Sequence, residues 1–189
     1  MALIAADQLA TRYTVDEYEA LANDPDWEGR RVELIHGVIM VMGPLSEDHE
    51  AAVDHLHYWL IDNVDREQFV VRRSSAIRTS DSEPQPDVMV VPRAGRGGGA
   101  LPRESALVVE VAVASKRHDT VVKPDIYAEG VAEYWVVDLP AQTVIVHREP
   151  GPDGYTEITT HTVPETLAPV AAPVTTPLAL AELFGTSHA

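Results

Sequence analysis

Apolar residues recur along the chain at two spacings, which predict helices and strands. Steps of three and four predict an amphipathic helix over residues 47–63, with Ser46 at its N-cap. Thr14 and Glu17 form a capping box, which predicts a shorter helix over residues 15–22. Each helix has one apolar face, so each is expected to pack against the rest of the fold.

Short apolar runs rich in β-branched residues predict strands between and after these helices. The first two strands form a hairpin over residues 31–42, because His36 and Gly37 supply a turn in which glycine takes a positive φ. Further strands are predicted at residues 68–73, 75–79, 87–91, 106–113, 133–138, 143–148 and 155–163. A glycine-rich segment over residues 93–104 is expected to form a mobile loop.

Proline and glycine divide the second half of the chain. Residues 119–123 are predicted to form a turn and residues 124–130 a helix, because proline fits the first position of a helix better than its interior. The proline-rich tail, residues 164–189, is expected to end in a short helix near residues 178–184. We therefore predict a single domain of the mixed α/β (α+β) class. Its core spans about residues 12–163, and helices flank a mixed central sheet.

One of the predicted strands carries a carboxylate in the middle of an apolar run. Glu110 lies at the centre of residues 106–113, where it costs free energy unless it is paired, hydrogen-bonded or bound to a metal. Asp87 stands at the head of another apolar strand, and Glu33 lies within the first hairpin. For Glu110 alone, an ion pair with arginine would be a sufficient explanation. The pattern nevertheless leads us to expect that the fold brings Asp87 and Glu110 together.

Composition excludes several classes of protein. The 189 residues are 45% apolar and 23% charged, which is typical of a globular chain. The absence of cysteine excludes a disulfide scaffold, a thiolate zinc site and a cysteine nucleophile. Residues 1–7 lack the basic and apolar regions of a signal peptide, and no run approaches 18 apolar residues. We therefore expect a cytoplasmic protein that does not enter a membrane.

The distribution of charge is uneven. A net charge of -16 argues against a protein that coats nucleic acid, because neutralising phosphates requires lysine and arginine. Residues 72–123, however, hold nine of the 14 basic residues and only six acidic ones. The basic residues thus gather in the part of the chain that carries Asp87 and Glu110. A solvated surface of mixed charge would explain the same distribution.

Carboxylates beside a lysine form a set of groups suited to phosphodiester chemistry. Mg²⁺ prefers oxygen ligands, and one or two carboxylates commonly bind it together with waters. Such a metal acidifies a bound water and offsets the negative charge that develops during attack on a phosphodiester. A lysine directed at the same place orients the water or stabilises that charge.

The order of these residues resembles the motif of the PD-(D/E)XK nuclease superfamily, in which Pro86 and Asp87 are followed by Glu110. The usual lysine two residues after the glutamate is Ala112 here, and Lys123 is a plausible substitute from the following turn or helix. A closer resemblance, over roughly residues 12–150, is to the Uma family of restriction endonucleases within that superfamily. The segments that carry it are residues 33–42, 82–87, 109–112, 115, 119–124, 127–128, 130–131 and 133–138.

The resemblance implies a restriction-endonuclease-like core with a mixed sheet of about four strands. It also implies Mg²⁺-dependent hydrolysis of phosphodiester bonds in DNA, with Mn²⁺ as an alternative metal, by a homodimer. Asp87, Glu110 and Glu33 match the metal-binding carboxylates, and Lys123 matches the catalytic lysine.

Three further residues are candidates for supporting roles. The resemblance places Asp119 and Tyr127 near the site, although Asp119 would serve equally well as a helix cap. His49 falls in the first turn of a predicted helix, near the substrate or the core.

The alternative function, suggested by the net charge and by Ala112, is a non-catalytic module that keeps the nuclease fold for binding or assembly.

Overall fold

The computed structural model describes residues 11–22, 30–93 and 100–185. The α-helices are α1 (Val15–Ala22), α2 (Glu47–Asn63), α3 (Lys123–Tyr127) and α4 (Leu180–Gly185), and a π-helical segment (His118–Val122) leads into α3. The strands are β1 (Val32–Ile35), β2 (Val38–Val41), β3 (Phe69–Arg73), β4 (Val88–Pro92), β5 (Ser105–Ala112), β6 (Val131–Asp138), β7 (Thr143–Gly151), β8 (Gly154–Thr162), β9 (Thr166–Leu167) and β10 (Leu178–Ala179). The predictions for residues 1–7 and for the glycine-rich loop at residues 94–99 lie outside the described residues.

A six-stranded sheet forms the centre of the fold, with strand order β3-β4-β5-β6-β7-β8. Strands β5 and β6 run parallel, and all other neighbours in this sheet are antiparallel. All eight residues of β5 are buried, as expected for a nearly continuous apolar run in the middle of a sheet covered on both faces. The predicted α+β class and mixed central sheet flanked by helices are confirmed, with six strands rather than about four.

The two faces of the sheet have separate apolar cores. Helices α2 and α4 cover one face, where Leu56 and Leu180 pack with Trp135. Helix α3 covers the other face, where Tyr127 packs with Tyr134. Side chains alternate along a strand, so Glu110 belongs to the face of β5 that α3 covers.

The hairpin of β1 and β2 lies outside the central sheet and is bonded to the segment that precedes β4. Leu34 forms a bridge with Glu83, and the Gly37 N–H donates to the Asp81 carbonyl at 2.9 Å. Helix α1 packs on this hairpin, and the hydroxyl of Tyr18 donates to the Val32 carbonyl. The capping box, the hairpin and the bounds of α1 and α2 agree with the prediction.

Two local predictions are wrong. Residues 75–79 contain no strand, because the Ile77 N–H donates to the Pro84 carbonyl and the Arg78 N–H to the Pro102 carbonyl, both in irregular segments. Pro84 also lacks the N–H that a strand ladder would need. Residues 119–123 are helical rather than a turn: the Lys123 N–H donates to the His118 carbonyl, which is a π-helical bond. The wider turn accommodates Pro124, which has no N–H for the bond of an ordinary α-helix.

The tail contributes to the core. Leu167, Leu178, Leu180 and Leu183 are buried in the apolar cluster that faces α2. Backbone groups of the tail are also bonded to the sheet, since Glu133 Oε2 accepts from the Val170 N–H at 2.7 Å. Within residues 11–22, 30–93 and 100–185, no helix combines the length and hydropathy needed to cross a bilayer.

We expect Leu180→Ala to lower the free energy of unfolding by about 2–5 kcal/mol, because it opens a cavity between α4 and the sheet. Glu182→Ala is the control on the same helix, where the side chain is exposed and the change should stay within about 0.5 kcal/mol. Urea denaturation measures both. Equal effects of the two substitutions would show that α4 is not part of the cooperative core.

Candidate active site

Asp87 and Glu110 lie opposite each other on neighbouring strands. Met89 pairs with Val108 and Val88 with Val109 in the antiparallel register of β4 and β5, so the next pair is Asp87 and Glu110. Asp87 Oδ2 also accepts from the backbone N–H of the residue after Glu110, at 2.7 Å. Both residues are buried, with exposed fractions of 8% and 4%. Two buried carboxylates face each other here, an arrangement that requires positive charge or protons.

Helix α3 supplies two donors to Glu110. Glu110 Oε1 accepts from the ammonium of Lys123 at 2.7 Å and from the hydroxyl of Tyr127 at 2.6 Å. Burial raises the pKa of Glu110 well above its usual value, Lys123 opposes that shift, and Asp87 adds to it. Positions 123 and 127 are four apart, so both side chains leave the same face of α3.

The ammonium of Lys123 lies among three carboxylates. Besides Glu110, its Nζ lies 3.4 Å from Glu33 Oε2 and 3.6 Å from Asp119 Oδ1. Only 2% of Lys123 is exposed. Burial alone would lower the pKa of Lys123, but the carboxylates of Glu110, Glu33 and Asp119 together raise it above its ordinary value. The three carboxylates therefore favour the protonated, cationic form of Lys123.

Lys123 thus occupies the side of β5 on which a lysine at position 112 would lie. Ala112 is two residues after Glu110 on the same face of β5, and it is fully buried against the core beneath α3. Its methyl group leaves space for the helix to approach the strand. The positive charge beside Glu110 comes from Lys123 on α3 instead of from position 112.

Glu33 and Asp119 each accept a hydrogen bond from a neighbouring residue in the fold. Glu33 Oε1 accepts from the Gln85 N–H at 3.1 Å, whereas its buried Oε2 accepts no hydrogen bond from the described residues. Asp119 Oδ2 accepts from the hydroxyl of Ser115, four residues earlier. The hairpin and the π-helical segment thus each present a carboxylate to Lys123.

His49 also reaches this centre. It lies in the first turn of α2, is buried, and places Nε2 3.2 Å from Asp87 Oδ2. The prediction that it lies near the core or substrate left both its partner and its orientation open. Sequence reasoning assigned no role to Gln85 and Ser115. Only the spacing of Ser115 and Asp119 could have indicated their contact.

The donor set suits a hard, oxygen-ligated cation. In the described residues, the side-chain hydrogen bonds of Asp87 all use Oδ2 and those of Glu110 all use Oε1, so each carboxylate keeps one oxygen without a donor. Mg²⁺ is commonly held by one or two carboxylates and waters, and this pair fits that need. Glu33 instead faces Lys123, and the described part of the chain has no group of three His, Asp or Glu side chains arranged to hold a metal ion.

Many basic residues of the 72–123 segment are engaged with acids. Arg73 pairs with Glu50 on α2, and Arg78 pairs with Asp16 on α1. The ion pairs of the segment also include Arg73 with Asp54, Arg78 with Glu19, and Lys116 with Asp138. Mixed charge therefore accounts for much of this cluster.

A known protein family matches most of this chain. The model of the Uma2 family, described as "Putative restriction endonuclease", matches residues 15–181. The chain belongs to the Uma2 family. The match extends through the tail, beyond the region in which the sequence motifs carried the resemblance. No curated protein matches the chain.

The fold of this Uma2 protein is also found in a solved structure. It is similar to the crystal structure of "a putative nuclease belonging to DUF820 from Anabaena variabilis ATCC 29413", with 21% sequence identity and a TM-score of 0.73. The alignment covers 92% of this chain and 98% of that chain. Family and fold together indicate a restriction-endonuclease-like nuclease.

We expect Lys123→Met to lower the free energy of unfolding by about 3–5 kcal/mol at pH 8, because it leaves buried carboxylates without their cation. This loss of unfolding free energy should be smaller at pH 5. A carboxyl group whose pKa is raised in the fold stabilises the folded state below that pKa, and this contribution is lost as the pH rises. Without Lys123, the pKa of Glu110 should rise further, so Glu110 is more fully protonated in the variant at pH 5. The neutral carboxyl group then no longer needs a buried cation.

Urea denaturation at both pH values measures this difference. Arg117→Met is the control, because Arg117 is exposed and forms no ion pair with the described residues. A loss for Lys123→Met that is the same at pH 5 and pH 8 would contradict the electrostatic explanation.

Proposed function

We propose that this Uma2 protein is a Mg²⁺-dependent endonuclease that hydrolyses phosphodiester bonds in DNA, with Mn²⁺ as an alternative metal. One observation carries the proposal. Asp87 and Glu110 lie opposite each other, and each has one oxygen bonded to protein donors and one without a donor in the described chain. These two oxygens would hold the cation.

The metal would acidify a bound water and offset negative charge on the phosphate. The protein's part is to hold one oxygen of Asp87 and one of Glu110 by hydrogen bonds, so that the other oxygen of each is directed towards one place. The cation would favour the ionised form of Glu110, whose pKa burial raises. Tyr127 contributes by donating to Glu110 Oε1, which leaves Oε2 for the cation. A cation there would also relieve the repulsion between the two opposed carboxylates.

Lys123 acts as a donor and not as a base. Its ammonium is surrounded by carboxylates, which raise its pKa, so it does not release a proton to become a base near neutral pH. We propose that it donates to the scissile phosphate or to the attacking water and stabilises the charge of the transition state. Its bond to Glu110 holds it beside the metal site.

Glu33 and Asp119 would assist from the side of Lys123. The buried Oε2 of Glu33 is an acceptor without a donor in the described chain, and it can accept a hydrogen bond from water. Asp119 accepts from the Ser115 hydroxyl with Oδ2, and its Oδ1 lies 3.6 Å from the Lys123 ammonium, so its side chain supports the position of Lys123. We assign Glu33 to orienting water or metal and Asp119 to support.

The proposed partners are DNA and a second copy of the chain, both suggested by the family. With a net charge of -16, the chain offers few cations to a nucleic acid. In the described part of residues 72–123, the basic residues without an ion pair are Arg72, Arg93, Arg103 and Arg117. Binding would therefore depend on the metal and a small number of phosphate contacts.

We expect Asp87→Asn, Glu110→Gln and Lys123→Met each to lower DNA cleavage by at least about 100-fold, because each removes electrostatic stabilisation worth several kcal/mol. Cleavage of plasmid, linear duplex, single-stranded DNA and RNA with Mg²⁺ or Mn²⁺ measures this. Glu133→Gln is the matched control: Glu133 is a buried carboxylate of the same sheet, but it bonds to Trp135 rather than to the site. It should retain cleavage at temperatures at which it is folded.

Two outcomes would overturn the proposal. One is cleavage that survives both Asp87→Asn and Glu110→Gln, and the other is no cleavage of any of these substrates. If calorimetry also detected no binding of Mg²⁺ or Mn²⁺ that depends on Asp87, the non-catalytic binding or assembly module would be the better explanation.

A further inference from the structure

His49 connects the N-terminal turn of α2 to the proposed metal site. Its Nε2 lies 3.2 Å from Asp87 Oδ2, and the side chains of both residues are almost fully buried. The Ser46 side chain accepts from the His49 N–H and caps α2, which fixes the backbone from which the ring projects. The contact joins residues 38 positions apart in sequence.

The bond to Asp87 indicates which nitrogen of the His49 ring carries a proton. An ionised carboxylate only accepts hydrogen bonds, so His49 must carry a proton on Nε2 to bond to Asp87. The other nitrogen, Nδ1, is buried and forms no hydrogen bond with the described residues, although it lies 4.0 Å from Glu50 Oε1. The ring therefore contributes one donor to the site, and that donor is directed at Asp87.

This donor leaves the two oxygens of Asp87 unequal. Oδ2 receives two hydrogen bonds, one from His49 and one from the backbone N–H of Val111. In the described chain, Oδ1 receives none. Glu110 has the same arrangement, with two donors on Oε1 from Lys123 and Tyr127. Each carboxylate is thus held by one of its oxygens through donors that include a helical side chain.

We propose that His49 is a positioning residue that holds Asp87 Oδ2 and so presents Oδ1 to a divalent cation. The inference rests on the proposed function, because it concerns the same metal site. His49 acts through Asp87 and touches neither substrate nor metal. Helix α2 plays the part for Asp87 that α3 plays for Glu110.

Calorimetric titration with Mn²⁺ tests the inference in a pair of substitutions at position 49. His49→Leu removes the donor, and we expect Mn²⁺ to bind about 10- to 100-fold more weakly, as when a hydrogen-bond partner of a metal ligand is lost. In His49→Gln the amide Nε2 stands the same number of bonds from the backbone as the imidazole Nε2. It should restore Mn²⁺ binding to within a few-fold of the wild-type protein.

His55→Leu is the matched control, because position 55 lies on the same helix and, among the described residues, its side chain forms no hydrogen bond or ion pair with the site. It should leave Mn²⁺ binding unchanged. Thermal melting without metal confirms that each variant is folded under the conditions of titration. If His49→Leu is unfolded, the comparison of His49→Gln with His49→Asn decides, because the shorter amide of asparagine cannot reach Asp87 in the same way and should bind Mn²⁺ more weakly.

Three results would overturn the inference. Unchanged Mn²⁺ binding in His49→Leu would show that Asp87 needs no positioning by the ring. Equal losses in His49→Leu and His49→Gln would show that the ring acts other than by donating from Nε2. The same would follow if His49→Asn bound as tightly as His49→Gln.

The failure of this inference differs from the failure of the proposed function. If Asp87→Asn and Glu110→Gln lose Mn²⁺ binding while His49→Leu keeps it, only the role of His49 is refuted. If Asp87→Asn and Glu110→Gln bind Mn²⁺ like the wild-type protein, the metal site itself is refuted.

Discussion

The burial of the Lys123 ammonium among carboxylates is the interaction on which the centre of this structure depends. Glu110, Glu33 and Asp119 come from a strand of the central sheet, a separate hairpin and a π-helical segment. Each would be costly to bury alone, and so would the ammonium. Because one cation serves all three carboxylates, the hairpin and the helix must dock in one relative position. Electrostatics thus specifies a geometry that apolar packing alone would leave loose.

Glu133 shows what a purely structural carboxylate in this sheet is like. Its Oε1 accepts from the indole of Trp135 and from Arg148, and its Oε2 accepts from the Val170 N–H. Both oxygens are satisfied, and they hold the tail against the sheet. Glu110 is equally buried, but its described donors all meet one oxygen. The difference between these two carboxylates distinguishes a structural ion pair from a site that can accept a further cation.

Sequence patterns predicted what depends on neighbouring residues. The helix over residues 47–63, the hairpin turn at His36 and the grouping of carboxylates with Lys123 follow from spacing, capping and the motif. The π-helical segment did not follow, because its geometry depends on how Pro124 is accommodated in the folded chain. The contact of His49 with Asp87 was equally beyond reach, since it joins a helix to a strand end whose relative placement only tertiary packing determines.

Moving the lysine from strand to helix changes how the site is coupled to the fold. A lysine at position 112 would project from the same strand as Glu110, so its position would depend on β5 alone. Lys123 belongs to the segment that also carries Asp119 and Tyr127, at steps of four, and it reaches across to Glu33 in the hairpin. A displacement of the hairpin or of α3 therefore changes the surroundings of Glu110 directly. The balance of charge at the proposed metal site therefore depends on the position of α3. With a lysine on the strand, it would not.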